Sequence, residues 1–150
     1  MELSSYEQAA IKKYISAIGP NRLHTDAIED CRWAVIHVLQ SICIIDYKLT
    51  DKSEEFKKPA EYVMTTKQFF GSYDATKKRW AAKNDLLKTV NEKISKVLST
   101  RNEGYNPATA SSLIVEEDDR AEEAKNSAKA ILKWYLNHHH SYQLSSIDNL

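Results

Sequence analysis

Net charge is the first thing this sequence lacks: Lys plus Arg and Asp plus Glu both number 21. A neutral chain sets up no long-range field to draw in nucleic acid, so any RNA contact must come from a local basic patch or from many copies acting together. It also lacks the self-repulsion that keeps subunits apart, which leaves association easy. Cysteine is nearly as scarce. Cys31 and Cys43 fall in one expected helix, about 18 Å apart along its axis. That excludes a disulfide between them, and they read as buried free thiols in a reducing compartment. No apolar run is long enough to span a bilayer, because residues 35–45 are broken by His37, Gln40 and Ser41 and followed by Asp46. Residues 1–8 carry neither the basic nor the apolar region of a signal peptide, and a cytosolic protein is expected. No internal repeat, nucleotide-binding loop, zinc signature or nucleophile elbow is present.

What is there reads as helix. With 42% hydrophobic and 28% charged residues the chain is globular rather than disordered, and 150 residues fit one domain. The 3 glycines and 3 prolines punctuate it, and the stretches between are free of helix breakers. Four amphipathic helices are predicted near 5–18, 26–48, 73–99 and 112–136, the first opened by a capping box over Ser4, Ser5, Tyr6 and Glu7. The second carries so wide an apolar stripe that it must be central. Residues 50–71 lose the periodicity and predict at most a short ribbon over 61–66 and 68–70. The expected fold is all-α, a four-helix bundle with an irregular or β-like segment between helices 2 and 3. Trp33, Val35, Leu39, Ile42, Leu87, Val90, Ile94, Ile131 and Tyr135 are expected inside. Residues 1–137 form the domain, and 138–150 a flexible polar tail.

The residues that could carry chemistry mostly have blander readings. His138, His139 and His140 resemble a metal cluster, but consecutive helical residues point about 100° apart and cannot all face one ion. They are read as part of the solvated tail, with no metal and no cofactor expected. Residues 116–119 are all acidic and suit the first turns of a helix. Lys77, Lys78, Arg79 and Lys83 read as the charged outer face of helix 3. Arg32 and His37 have the Arg-x4-His spacing of HEPN ribonucleases, in which an imidazole moves a proton beside a guanidinium that stabilises phosphorane charge. A helix-surface arginine next to a partly buried histidine is the competing reading.

Four short motifs in the C-terminal half are similar to those of the coat proteins of tobamoviruses and other rod-shaped plant viruses, and they come in the family's order. Ser99-Thr100-Arg101-Asn102 resembles Asp-Thr-Arg-Asn. Asn106-Pro107-Ala108-Thr109-Ala110 resembles Asn-Pro-Thr-Thr-Ala. Arg120-Ala121-Glu122-Glu123-Ala124, with Ala128, Lys129 and Ala130 following, resembles Arg-Val-Asp-Asp-Ala and its Ile-Arg-Ser-Ala continuation. Ser141-Tyr142-Gln143-Leu144-Ser145-Ser146 resembles Ser-Tyr-Asn-Arg-Ser-Ser. The chain departs from the family in lacking the N-terminal aromatic entry and the Arg-Phe-Pro strand motif, and in its shorter loop before Asn106.

The resemblance implies a non-enzymatic structural protein of the virion, made in host cytoplasm, that assembles into a helical rod and packages single-stranded RNA. It implies RNA contacts from Arg101, Arg120, Asn102, Glu122, Glu123 and Asn126, with Arg32 as a further phosphate contact. Such contacts should be phosphate-centred and tolerant of sequence. A HEPN-type ribonuclease or toxin using Arg32 and His37, and a non-catalytic interaction bundle, are the alternatives.

Overall fold

The computed structural model describes the backbone of residues 3–100 and 110–140 and the side chains of 3–99 and 119–140. The described chain is mostly helical, with four long helices, two short helical turns and one two-stranded sheet.

Helix α1 (Ser5–Ala17) begins at the expected capping box. The Ser4 hydroxyl accepts from the Glu7 amide at 3.2 Å, and Glu7 Oε1 accepts from the Ser4 amide at 2.8 Å. Glu7, Ala10, Tyr14 and Ala17 then line its buried face. Helix α2 (His24–Ile45) starts two residues ahead of the expected position. It is buried on more than one side, from Ala27, Ile28 and Cys31 through Leu39, Ile42 and Cys43, and packs against α1, α4 (Asp85–Thr100) and α5 (Ala110–His139). That is the central position its wide apolar stripe predicted. Burial pushes the Cys31 thiol up to about 12 and the Cys43 thiol up to about 11, so both are free and protonated at neutral pH.

The turn between α1 and α2 is clamped by a buried carboxylate. Asp30 accepts from Ser16 Oγ at 2.8 Å and from Arg22 Nε and Nη2 at 2.9 and 3.1 Å. A forked guanidinium fixes geometry that a lone charge would not. Trp33, expected inside, is instead 38% exposed. It lies beyond the Cys31, Val35, Val38 and Ile42 stripe that the other helices cover, and its ring leans on His37 at 5.7 Å.

The segment after α2 is irregular for local reasons. Lys48 and Gln68 take left-handed backbone, with φ of 57° and 53°. Pro59 holds Lys58 out of helical backbone (φ −124°, ψ 63°), which stops the one-turn helix α3 (Glu54–Lys57). A π-helical turn, Glu61–Thr66, follows where a ribbon was expected. Its consecutive residues Val63 and Met64 are both buried, which an alternating strand could not achieve against a core on one side. Edge-on aromatic contacts link Tyr47 to Tyr62 and Phe69, and Phe69 and Phe70 reach Trp134, which fastens the segment onto α5.

The strands come later than expected, inside the stretch assigned to helix 3. β1 (Gly71–Asp74) pairs antiparallel with β2 (Arg79–Ala82), Gly71 opposite Ala82 and Tyr73 opposite Trp80. The turn wins over the helix because Asp74 Oδ1 accepts from the amides of Thr76 and Lys77, and Lys78 goes left-handed at φ 50°. Helix α4 therefore begins only at Asp85, where Asn84 Oδ1 accepts from the Leu87 amide. Val90, Asn91, Ile94 and Val97 form its buried face, with Leu87 at the margin. Asn91 Nδ2 donates to the Phe70 carbonyl at 3.3 Å and so ties α4 to the base of the hairpin.

In α5 the small residues Ala121, Ala124, Ser127 and Ala128 are buried ahead of Ile131, Leu132, Tyr135 and Leu136, which lets the helix approach α2 and α4 closely. Among the described residues no helix is long and apolar enough to cross a membrane.

Leu39 and Ile94 are fully buried. Truncating either to alanine should cost about 2–5 kcal/mol in urea unfolding. Gly71 has φ 129°, and an added Cβ would meet the Ala81 carbonyl oxygen at 2.4 Å. Gly71→Ala should therefore destabilise by more than about 1 kcal/mol. Losses under about half a kcal/mol at both Leu39 and Ile94 would contradict this core.

Candidate nucleic-acid interface

Arg120, Glu122, Glu123 and Asn126 come together on α5, within about 9 Å of helix rise. Glu122, Glu123 and Asn126 are exposed, and Arg120 is half-buried. The two glutamates diverge. Glu123 forms an ion pair with Lys96 of α4, whereas Glu122 faces α1 closely enough for its charge to act on Tyr14. Arg32 belongs to a different helix, where its guanidinium lies 3.7 Å from the Glu29 carboxylate of the preceding turn. Arg101 and Asn102 lie outside the described residues, as do the side chains of 116–118. Asp119, Glu122 and Glu123 outnumber Arg120 and Lys125 on these turns.

His37 is half-buried, with Nδ1 2.7 Å from Gln40 Oε1. Arg32 and His37 stand five residues apart on one helix, about 140° around it, so a single chain does not bring them to one point.

The structure exposes a second polar surface that the sequence reading laid along a helix. Tyr73 and Trp80 pair across the hairpin with ring centroids 5.0 Å apart. Around them Lys77, Lys78, Arg79 and Lys88 line a groove of about 740 Å³, with Asp74 and Glu92 the acidic members. Aromatic faces beside cations are what stacked bases and a phosphate backbone require. The signal in the sequence was the turn-forming Asp74 between Tyr73 and Trp80.

A third cluster joins three helix ends and was missed because its partners are far apart in sequence. α5 runs through His139, and His140 is buried, so these residues are not part of a loose tail; 141–150 lie outside the described residues. His140 Nε2 sits 2.5 Å from Glu7 Oε2, and His139 Nε2 sits 2.9 Å from Asp46 Oδ2. The Tyr135 ring stacks on His139 at 4.2 Å. Burial and the nearby Glu7 charge raise the Tyr135 phenol, which stays neutral.

Comparison with known proteins finds no matching family model, no matching curated protein and no matching solved structure.

The third cluster makes stability depend on pH in two directions. Burial opposes the Glu7 charge, yet the Ser4 amide and hydroxyl and the His140 ring outweigh it and hold the carboxyl below its ordinary 4.5. Burial likewise opposes charge on His139, but Asp46 and the Tyr135 carbonyl raise it above its ordinary 6.5. Glu7 then stabilises fully above pH 4.5, and its contribution is lost as pH falls through the lowered folded value. His139 stabilises fully below pH 6.5, and its contribution is lost as pH rises through the raised folded value. In chelator-treated buffer, urea midpoints should peak between those limits. Glu7→Gln should flatten the acid limb and Asp46→Asn the alkaline limb. A profile that neither variant alters would contradict these assignments.

Proposed function

We propose that this chain is the coat subunit of a helical, rod-shaped particle, a four-helix bundle that packages single-stranded RNA through sequence-tolerant phosphate contacts. One observation carries most of the weight. The order of two long helices, a small antiparallel sheet and two more long helices is similar to that of the coat proteins the motifs resemble, four-helix bundles with a small sheet between their second and third helices. The first two resembling motifs flank the α4–α5 connection, Thr100 being the last residue of α4 and Ala110 the first of α5, and Arg120, Glu122, Glu123 and Asn126 lie along the middle of α5. A neutral subunit suits this role, because a few arginines each, repeated along a rod, give a large total affinity without a charged monomer. The absence of self-repulsion favours stacking of copies.

The cationic, aromatic groove at the hairpin favours a second placement of the RNA. It is lined by hairpin residues and by Lys88, Glu92 and Ser95 of α4, none of them among the residues of the first placement. RNA held at the α4–α5 connection and RNA held at the hairpin are therefore separable by mutation.

In the first placement, Arg101→Ala and Arg120→Ala should each lower RNA packaging to a similar degree for unrelated RNA sequences. Each should also reduce the salt slope of binding by nearly one contact per subunit. A Lys77→Ala, Lys78→Ala, Arg79→Ala variant should still package. The reverse pattern would move the RNA to the hairpin, and normal packaging in every variant would refute both placements.

A further inference from the structure

The C-terminal ends of α2 and α5 meet, and each presents metal-ligand atoms there. Asp46 caps α2, while His138 and His139 are the last two residues of α5. One ligand atom from each of the three lies within 4.8 Å of the others. The sequence argued against a three-histidine site on geometric grounds, and His140 does turn away, to Glu7. The carboxylate of a distant residue takes its place.

The environment of His139 is what points to a cation. Its Nδ1 lies 3.1 Å from the Tyr135 carbonyl oxygen and its Nε2 lies 2.9 Å from Asp46 Oδ2, so both ring nitrogens face acceptors. A neutral imidazole has a single N–H. When Nδ1 donates to the carbonyl, the Nε2 lone pair is left aimed at a carboxylate. That arrangement is repulsive unless a positive charge comes between them, either a second proton or a metal ion. A histidine whose other nitrogen donates to a backbone carbonyl is also the usual support for a metal-bound imidazole. The His139 ring is held by Tyr135, and that of His138 lies nearly parallel to Trp134, 11° between planes at 5.9 Å. Two helix C-termini converge here, and the partial negative charge of each favours a cation.

We propose that Asp46, His138 and His139 form a binding site for a divalent transition-metal ion of the zinc class, clamping the end of α2 to the end of α5. Two imidazoles and a carboxylate suit zinc at bond lengths of about 2.0–2.2 Å, with one position left for water. Tetrahedral donors at that radius stand about 3.3–3.5 Å apart. The Asp46–His139 contact must therefore open slightly and His138 must draw in. Asp46 and His138 lie at the surface, where their side chains can turn. About 27 Å of helix rise separates His138 from Arg120.

The test is Zn²⁺ titration of the chelator-stripped full chain by calorimetry, together with thermal unfolding. One saturable Zn²⁺ per chain is expected, with a Tm that rises as the ion is added. His138→Ala should weaken binding by about tenfold or more and remove the Zn²⁺-dependent rise in Tm. Its own metal-free Tm is the reference, because the ring also stacks on Trp134, and the rise on adding Zn²⁺ is what should be lost. Asp46→Asn should weaken binding similarly, and His37→Ala, remote from the site, should not. Absence of one-to-one binding would overturn the proposal. So would wild-type affinity in both the His138 and Asp46 variants, which would mark the binding as scattered surface association.

Discussion

A helix that is apolar around much of its circumference cannot rest against a single neighbour, and α2 is such a helix. It carries Cys31, Ala34, Val35, Val38, Leu39, Ile42 and Cys43 on a continuous buried surface. Covering that surface needs α1 on one side and α4 and α5 on the others. The hairpin, the aromatic cluster around Phe69 and Phe70, and the course of α5 follow from where those covering helices must lie. The two buried carboxylates among the described residues are both paired. Asp30 is held by Ser16 and Arg22, and Glu7 by Ser4 and His140. A carboxylate buried without such partners would cost several kcal/mol, on the order of a large share of a small domain's stability.

Much of this was legible in the sequence wherever periodicity and capping agreed. The capping box at Ser4 and Glu7 located the start of α1, and the breadth of the apolar stripe on α2 announced its central place. The reading failed where one local interaction outweighed the pattern. Between Tyr73 and Lys83 the Asp74 turn competes with an apolar helical stripe, and the turn wins. Val63 and Met64 have strand-forming neighbours, but Pro59 and the aromatic contacts of Tyr62 and Phe69 leave a π-helical turn. Trp33 looked like core because it is large and apolar, yet it lies outside the covered stripe.

The candidate sites divide along the same line. Arg120, Glu122, Glu123 and Asn126 were chosen from a motif, and a single helix necessarily groups them. The histidines were set aside because three in a row on a helix cannot all face one ion. Their actual partners are Asp46 and Glu7, 93 and 133 residues away. Pairings at that separation leave no periodic trace and become visible only once the helix ends are brought together. The same two contacts join the end of α5 to α1 and α2.

The proposed association of many copies of this chain into a helical rod is open to direct observation. Electron microscopy of the purified protein at mildly acidic pH, with and without single-stranded RNA, addresses it directly. Discs, stacked rings or rods of constant diameter are expected, with RNA extending the rods. A particle that stays a compact monomer or dimer under all these conditions would contradict the proposal.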